Sequence, residues 1–221
     1  MTARVIALDG PAGSGKSTVA RGVAAALGLH TLDTGAMYRS VTLAALDAGV
    51  ALGDADAVTA VAERAVVELD NGIVRLDGRD VSASIRGPEV TGAVSTVAAH
   101  PPVRALLVAR QRAWVEEHDG GVVEGRDIGT VVLPDAPVKV FLTARDDVRA
   151  ARRHRDEADA DRATAVDDVQ AAIDTRDRAD ATLGRAVRPE DAAPDALVID
   201  TSALGADEVI ALVVAHARMS G

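Results

Sequence analysis

The 221-residue chain contains no cysteine, which excludes disulfides, thiolate metal sites and cysteine nucleophiles together. Aromatic residues make up 1%, namely Trp114, Tyr38 and Phe141. The core must therefore be built from Val, Leu, Ile and Ala, and a stacking platform for single-stranded nucleic acid is not expected. Lysine occurs only at positions 16 and 139, whereas arginine is abundant. Codon usage accounts for that imbalance in general, but not for a lysine kept at position 16. Net positive charge is also lacking: the formal charge is −10, so no overall basic footprint for nucleic acid exists, although a single basic cleft remains compatible with it. No apolar run approaches the roughly 20 residues of a membrane span. Residues 1–4 lack the basic-then-apolar pattern of a leader. A soluble cytoplasmic protein is the expectation. What is present is ordinary for a globular chain: 48% hydrophobic and 26% charged residues, and enough length for one main domain with a small appendage.

Apolar runs and helical periodicities alternate. Residues 4–9 and 138–143 read as buried parallel strands, 17–27 as a helix stopped by Gly28, and 30–39 as a short strand, a turn and a helix start continuing to about Ala48. Asp54 reads as the cap of a helix to about Arg64. Residues 65–78 alternate apolar and polar around Asn71-Gly72, the strongest short hairpin signal, with Val81 and Ile85 extending it. Helical patterns return at 89–99 and 103–114, separated by Pro101-Pro102. A short strand and a loop occupy 121–132, helices 146–155 and 166–177, a polar stretch 157–168, a last strand 196–202 and a last helix 207–218. No internal repeat is visible. The order predicts an α/β protein, a parallel sheet flanked by helices, with a small antiparallel β insert at about 63–90.

Gly10-Pro11-Ala12-Gly13-Ser14-Gly15-Lys16-Ser17, followed by Thr18, matches G-x-x-x-x-G-K-[ST] in full. Glycines let consecutive backbone N–H groups curl around an anion, and the next helix adds the partial positive charge of its N-terminus. Lys16 is placed to reach β and γ phosphates, and the Ser17 hydroxyl to ligate Mg²⁺. The motif licenses ATP or GTP binding without choosing a reaction. The guanine-specificity motif NKxD is absent, and the chain is short for a motor or transporter; a small-molecule kinase remains. Such an enzyme must bring two polyanions together, and arginine forks bind phosphate bidentately. Candidates are Arg39, Arg104, Arg126, Arg149, Arg152, Arg153 and Arg176, of which Arg39 and Arg126 fall just beyond expected strand ends. Asp9 either helps to hold a metal-bound water or the acceptor, or only hydrogen-bonds its loop.

DGPAGSGKST (9–18), LDTGAMYR (32–39), STVAAHPPVR (95–104), EGRDIGTVVLPDAPVKVFLTA (124–144) and DALVIDTS (195–202) together span nearly the whole chain. In this order they resemble the bacterial cytidylate kinase family. The resemblance implies a phosphate-loop nucleoside monophosphate kinase fold: a core of 1–62, 91–148 and 166–221, a monophosphate-binding insert at 63–90 and a helical, arginine-bearing lid at 149–165. It implies transfer of the γ-phosphoryl group of ATP to CMP or dCMP, with Mg²⁺, in pyrimidine nucleotide metabolism. It also implies a monomer; charge and hydropathy give no expectation of a nucleic-acid or membrane partner. Residue by residue, it places Thr34 and Arg39 on the bound monophosphate and Arg126 on its phosphate. It places Ser95, Arg104 and Asp127 on the base, and Arg176 and Asp180 on the ribose. A carboxylate at 127 would accept from the cytosine amino group and face the O4 of uracil unfavourably. Asp127 could instead cap a helix, and Asp180 could terminate one. Lys16, Arg126 and the lid arginines Arg149, Arg152 and Arg153 are the expected transition-state stabilisers, without a choice among the last three.

The chain departs from the family in one segment. R-D-x-x-D is there, but Ala181 replaces a serine and Leu183 stands where a further arginine belongs. Arg185 is expected to supply that guanidinium from a shifted position, with Arg188 as the other candidate. Two other readings remain open: a different small-molecule kinase of this architecture (dephospho-coenzyme A, shikimate or adenylate kinase), and a nucleotide-binding regulator without phosphoryl transfer.

Overall fold

The computed structural model describes residues 4–70, 72–158, 166–186 and 188–220, with backbone only at 156–158, 166–169, 172 and 176. Two compact units emerge, one formed by residues 1–31 with 118–221, the other by 32–117.

The first unit is built on strand β1 (Val5–Asp9), which pairs in parallel with β6 (Gly121–Gly125) on one side and β7 (Val138–Thr143) on the other. Strand β8 (Leu197–Asp200) pairs in parallel with β7. The sheet order is β2-β6-β1-β7-β8, where β2 (Thr31–Asp33) is the strand through which the chain leaves this unit. Burial on both faces explains why β1, β6 and β7 are nearly continuous apolar runs. Their side chains pack with Val19, Ala20 and Val23 of α1 (Lys16–Leu27) and Val209, Val213 and Ala217 of α8 (Ala206–Met219). Phe141 is fully buried, and Val, Leu, Ile and Ala fill most of the rest, as the shortage of aromatics requires. Helices α6 (Asp146–Ala158) and α7 (Val166–Thr182) complete the unit.

The second unit carries α2 (Thr34–Asp47), α3 (Ala55–Arg64), α4 (Pro88–Ala99) and α5 (Pro101–Glu117). It also holds an antiparallel sheet of β3 (Val67–Asp70), β4 (Ile73–Leu76) and β5 (Arg79–Asp80). Asp54 caps α3 as expected, accepting from the amides of Asp56 and Ala57.

Four local expectations need correction. Ile85 does not extend the hairpin; it lies in a short 3₁₀ turn, Ser84–Arg86, and is fully buried with Ala36, Val74 and Leu76. Hydrophobicity at 85 serves a core contact rather than a strand face. No separate turn divides β2 from α2, because Asp33 is itself the N-cap and accepts from the Ala36 amide. The expected loop at 126–132 contains a wide helical turn, Ile128–Val132, closed by bonds from Val132 N to Asp127 O (3.2 Å) and Leu133 N to Ile128 O (2.7 Å). Helix α7 runs on to Thr182, so Asp180 lies within it rather than beyond it. Of the polar stretch at 157–168, residues 159–165 lie outside the described residues.

Candidate active site

The carboxyl ends of β1, β6, β7 and β8 each lead into a segment with chemistry, as expected of an open parallel sheet. After β1, the backbone of Gly10–Gly15 curls with positive φ at Gly10 (149°) and Gly13 (75°). A β-carbon on Gly10 would stand 2.1 Å from the Leu142 carbonyl oxygen, and one on Gly13 would stand 2.7 Å from that of Arg149. Both glycines are thus required by close backbone approach as well as by φ. The loop opens α1 at Lys16, and Lys16 Nζ donates to the Pro11 carbonyl at 2.8 Å, within its own loop.

Ser17 Oγ donates to Glu124 Oε2 at 2.8 Å. Glu124 sits near the end of β6 beside Leu8 of β1 and is buried. The sequence reading missed Glu124; the available signal was a lone acid in an otherwise apolar buried strand.

Asp9 ends β1 and is 6% exposed. Its two carboxylate oxygens accept from the amides of Ile128 and Gly129, both at 2.8 Å. Of the two readings left open for Asp9, the observed bonds are those of a loop anchor, which ties the turn after Arg126 and Asp127 to the end of the central strand. Burial pushes the carboxyl up to about 6, against the pull of the two amides; nearby Asp127 pushes the same way and Lys16 opposes. Between the ordinary value of 3.8 and about 6, the folded protein keeps a proton that the unfolded chain has released. Stability therefore falls as pH rises through that window, the penalty being absent below it and complete above it. Relative to Asp9→Asn, wild type should lose on the order of 3 kcal/mol between pH 4 and pH 7 in urea unfolding. A gap between the two proteins that did not move with pH would refute this titration.

Arg126 follows β6 directly. Its Nη1 lies 3.2 Å from Asp177 Oδ1 and 3.2 Å from Asp180 Oδ2. Asp127 is buried, and its side chain makes no capping bond to the turn that follows. On α6, Arg149 is buried, donating from Nη1 to Asp177 Oδ2 (2.6 Å) and to the Ala12 carbonyl of the glycine loop (3.0 Å), and from Nη2 to Asp146 (2.7 Å). Burial works against its charge, but the Asp146 and Asp177 carboxylates hold its pKa above the usual arginine value. Arg152 is bound to the segment after β8, donating to Thr201 Oγ1 (2.8 Å) and Thr201 O (2.7 Å). Thr201 Oγ1 in turn lies 3.2 Å from the Ser14 carbonyl of the glycine loop. Arg153 is half-buried on the same helix. Asp180 Oδ1 accepts from Arg185 Nη1 at 2.8 Å, both side chains being buried, whereas Arg188 is exposed and lies 3.9 Å from Glu190. Arg176 is on α7, but its side chain lies outside the described residues.

The remaining residues singled out from sequence belong to the second unit. Thr34 is buried in the first turn of α2. Arg39 lies in the second turn of that helix rather than just beyond β2, and is buried. Its Nη1 donates to the Ile85 carbonyl (2.8 Å) and Thr91 Oγ1 (2.9 Å). Ser95 and Arg104 are half-buried on α4 and α5.

A glycine nest between a central parallel strand and a helix, with lysine and serine at its close and buried arginines on the neighbouring segments, defines a phosphate-loop enzyme of the kinase class. The cytidylate kinase profile matches residues 6–219. The chain belongs to the cytidylate kinase family, and is an ATP-dependent kinase. It is 51% identical over 211 residues to the cytidylate kinase of Mycobacterium leprae (strain Br4923), covering 96% of this chain and 94% of that one. It is 50% identical over 210 residues to that of Mycobacterium avium (strain 104), covering 93% and 91%. With the cytidylate kinase of Paraburkholderia phytofirmans it shares 46% over 210 residues, covering 95% and 91%. Among solved structures, an uncharacterized protein from Eubacterium ventriosum shares the fold, with a TM-score of 0.53 at 11% identity, over 96% of this chain and 97% of that one.

Proposed function

We propose that the enzyme transfers the γ-phosphoryl group of ATP to CMP or dCMP, giving CDP or dCDP and ADP, in pyrimidine nucleotide metabolism. The observation that carries this reading is the buried Arg149 and the half-buried Arg126, its side chain 10% exposed, beside a complete phosphate loop, with Arg149 bonded to the loop itself. A regulator that only bound nucleotide would have no use for them.

Residues 10–18 hold the ATP phosphates, with Lys16 on the β and γ groups. The hydroxyl of Ser17 and the buried carboxylate of Glu124 form an oxygen donor set that suits Mg²⁺. When bound, that ion neutralises charge on the β and γ oxygens. The acceptor phosphate is largely dianionic at neutral pH, so its oxygen attacks the γ-phosphorus in line without a general base, and the bond to the β-γ bridging oxygen breaks as ADP leaves. Positioning and charge stabilisation do the rest. Arg126 and Arg39 hold the acceptor phosphate, Thr34 contacts the monophosphate, and Ser95, Arg104 and Asp127 read the base. Arg176 and Asp180 hold the ribose. Arg149 stabilises the transferring group; Arg152 and Arg153 support it from the same helix. A division into core, insert at 63–90 and lid at 149–165 serves to close the site and exclude water. A monomer acting in the cytoplasm fits this reading. No helix among the described residues is long and apolar enough to cross a membrane.

The decisive experiment is ADP release from ATP and Mg²⁺ with CMP, dCMP, UMP and AMP as separate acceptors, and with none. Strong turnover with CMP and little with UMP supports both the reaction and base reading by Asp127. Equal turnover with UMP removes the Asp127 assignment. ATP binding with no acceptor-dependent turnover removes the reaction.

Arg185 is the better candidate for the missing family arginine. The helix ends in a turn through Gly184 (φ 68°) that closes with Arg185 N on Asp180 O at 3.0 Å, and this brings the guanidinium back onto the Asp180 side chain. Arg185→Ala should raise the KM for CMP or lower kcat by about 10–150-fold, as loss of one charge-assisted bond of roughly 1.5–3 kcal/mol implies. Arg188→Ala should change neither. Steady-state kinetics on both variants decide it, and unchanged constants in Arg185→Ala would transfer the role elsewhere.

A further inference from the structure

Asp177 lies next to a residue that the family resemblance assigns, yet that resemblance gives Asp177 itself no role. Its carboxylate stands between two arginines: Oδ1 is 3.2 Å from Arg126 Nη1 and Oδ2 is 2.6 Å from Arg149 Nη1. The three side chains are only 15%, 10% and 7% exposed, so this is not a solvated surface pair of negligible worth. Arg126 comes from the end of β6, Arg149 from α6, and Asp177 from α7; Arg149 also holds the Ala12 carbonyl of the glycine loop. One carboxylate thus joins three segments to the loop.

We propose that Asp177 is a positioning residue for phosphoryl transfer, sharing its carboxylate between Arg126 and Arg149 so that the two guanidiniums keep a fixed spacing at the phosphate loop. The inference rests on the reading that these arginines act on phosphate. Two guanidiniums repel one another, and a shared anion offsets that repulsion and sets their distance. No other described carboxylate bonds both: Asp180 takes Arg126 and Arg185, and Asp146 takes only Arg149 and is 74% exposed. Arg126 meets both Asp177 and Asp180 through Nη1, and a guanidinium has a second edge, Nη2–Nε, of the kind that takes a phosphate as a fork.

The test is Asp177→Asn in the full chain, alone and combined with Arg149→Ala. Asp177→Asn should lower kcat about 10–100-fold, the scale of a misplaced catalytic group. Its Kd for ATP, by equilibrium titration, should stay within about threefold and its Tm close to wild type. Added to Arg149→Ala it should cost little more, since its effect runs through that side chain. Asp177→Glu, which keeps the charge but lengthens the arm, should retain the Tm and still lose kcat, and so decides the matter if the Asn variant does not fold. An unchanged kcat, a multiplicative effect in the double variant, or a gain in kcat/KM (the mark of a plug) overturns the proposal. If Arg149→Ala itself leaves kcat intact, the phosphate reading of the site falls and takes this inference with it. If only the Asp177 variants are silent, the inference falls alone.

Discussion

Lys16→Met should lower kcat by at least about 10³-fold, or roughly 4 kcal/mol of transition-state stabilisation, while the protein stays folded. Lys16 is the first residue of α1, half-buried, with its ammonium on the Pro11 carbonyl 2.8 Å away. The charge is thus held inside the curl of the loop, where the proposed reaction develops negative charge on the γ-phosphoryl oxygens. Methionine keeps the aliphatic stem and removes only the ammonium, so packing against the loop is preserved. Arginine is not a conservative substitute, because its planar fork is larger than the point charge that the nest accommodates. Coupled ADP release measures kcat and thermal unfolding measures Tm. A kcat within tenfold of wild type would show that the loop lysine does not act on the transferring group.

Gly10→Ala should be among the most damaging single methyl groups at the described glycines, costing at least about 4 kcal/mol from combined backbone strain and overpacking. The methyl would meet the Leu142 carbonyl oxygen at 2.1 Å and Ser14 Oγ at 3.0 Å. Leu142 belongs to β7, paired with the central strand, so the oxygen cannot retreat without disturbing the sheet ladder. The φ of 149° adds strain for any L side chain. For a domain of this size such a loss lowers Tm by roughly 8–16 °C. Gly28→Ala is the control: its φ is 66°, but nothing lies within 4 Å of the added methyl, so the cost is about 1 kcal/mol. Paired thermal unfolding of the two variants separates close approach from φ alone. Equal Tm losses would show that the carbonyl contact is not what demands glycine at position 10.

The elements read correctly from sequence were those whose cause is local. Asp54 precedes an apolar stripe and caps α3 with bonds to residues two and three positions on. Alternation around residues 71–72 yields the β3–β4 pair, in which Asp70 faces Ile73. The phosphate loop is a contiguous motif whose strand and helix flank it directly. The misreadings share the opposite property. Ile85 looks like a strand residue, yet it is drawn into a 3₁₀ turn by contacts with Ala36, Val74 and Leu76. The turn at 128–132 is organised by the carboxylate of Asp9, 119 residues earlier, and no local pattern contains that bond.

The candidate site divides along the same line. Lys16, Ser17, Arg126 and Arg149 could be picked out from residue type and position, because phosphate chemistry needs those groups wherever the chain places them, and Arg185 from the family resemblance, as the substitute for an arginine missing at Leu183. Glu124 and Asp177 could not. Glu124 acquires meaning only when the parallel register sets β6 beside β1 and brings its carboxylate to Ser17, 107 residues away. Asp177 acquires it only when α7 presents its side chain to arginines from two other segments. The sequence by itself determined the nucleotide loop, the family and the alternation of strands and helices, since these rest on short-range sterics, hydrogen bonding and periodicity. The strand order, the pairing of Ser17 with Glu124 and the sharing of Asp177 between two guanidiniums were decided only by the tertiary structure, because a buried charge is stabilised by whatever opposite charge the packing brings within reach.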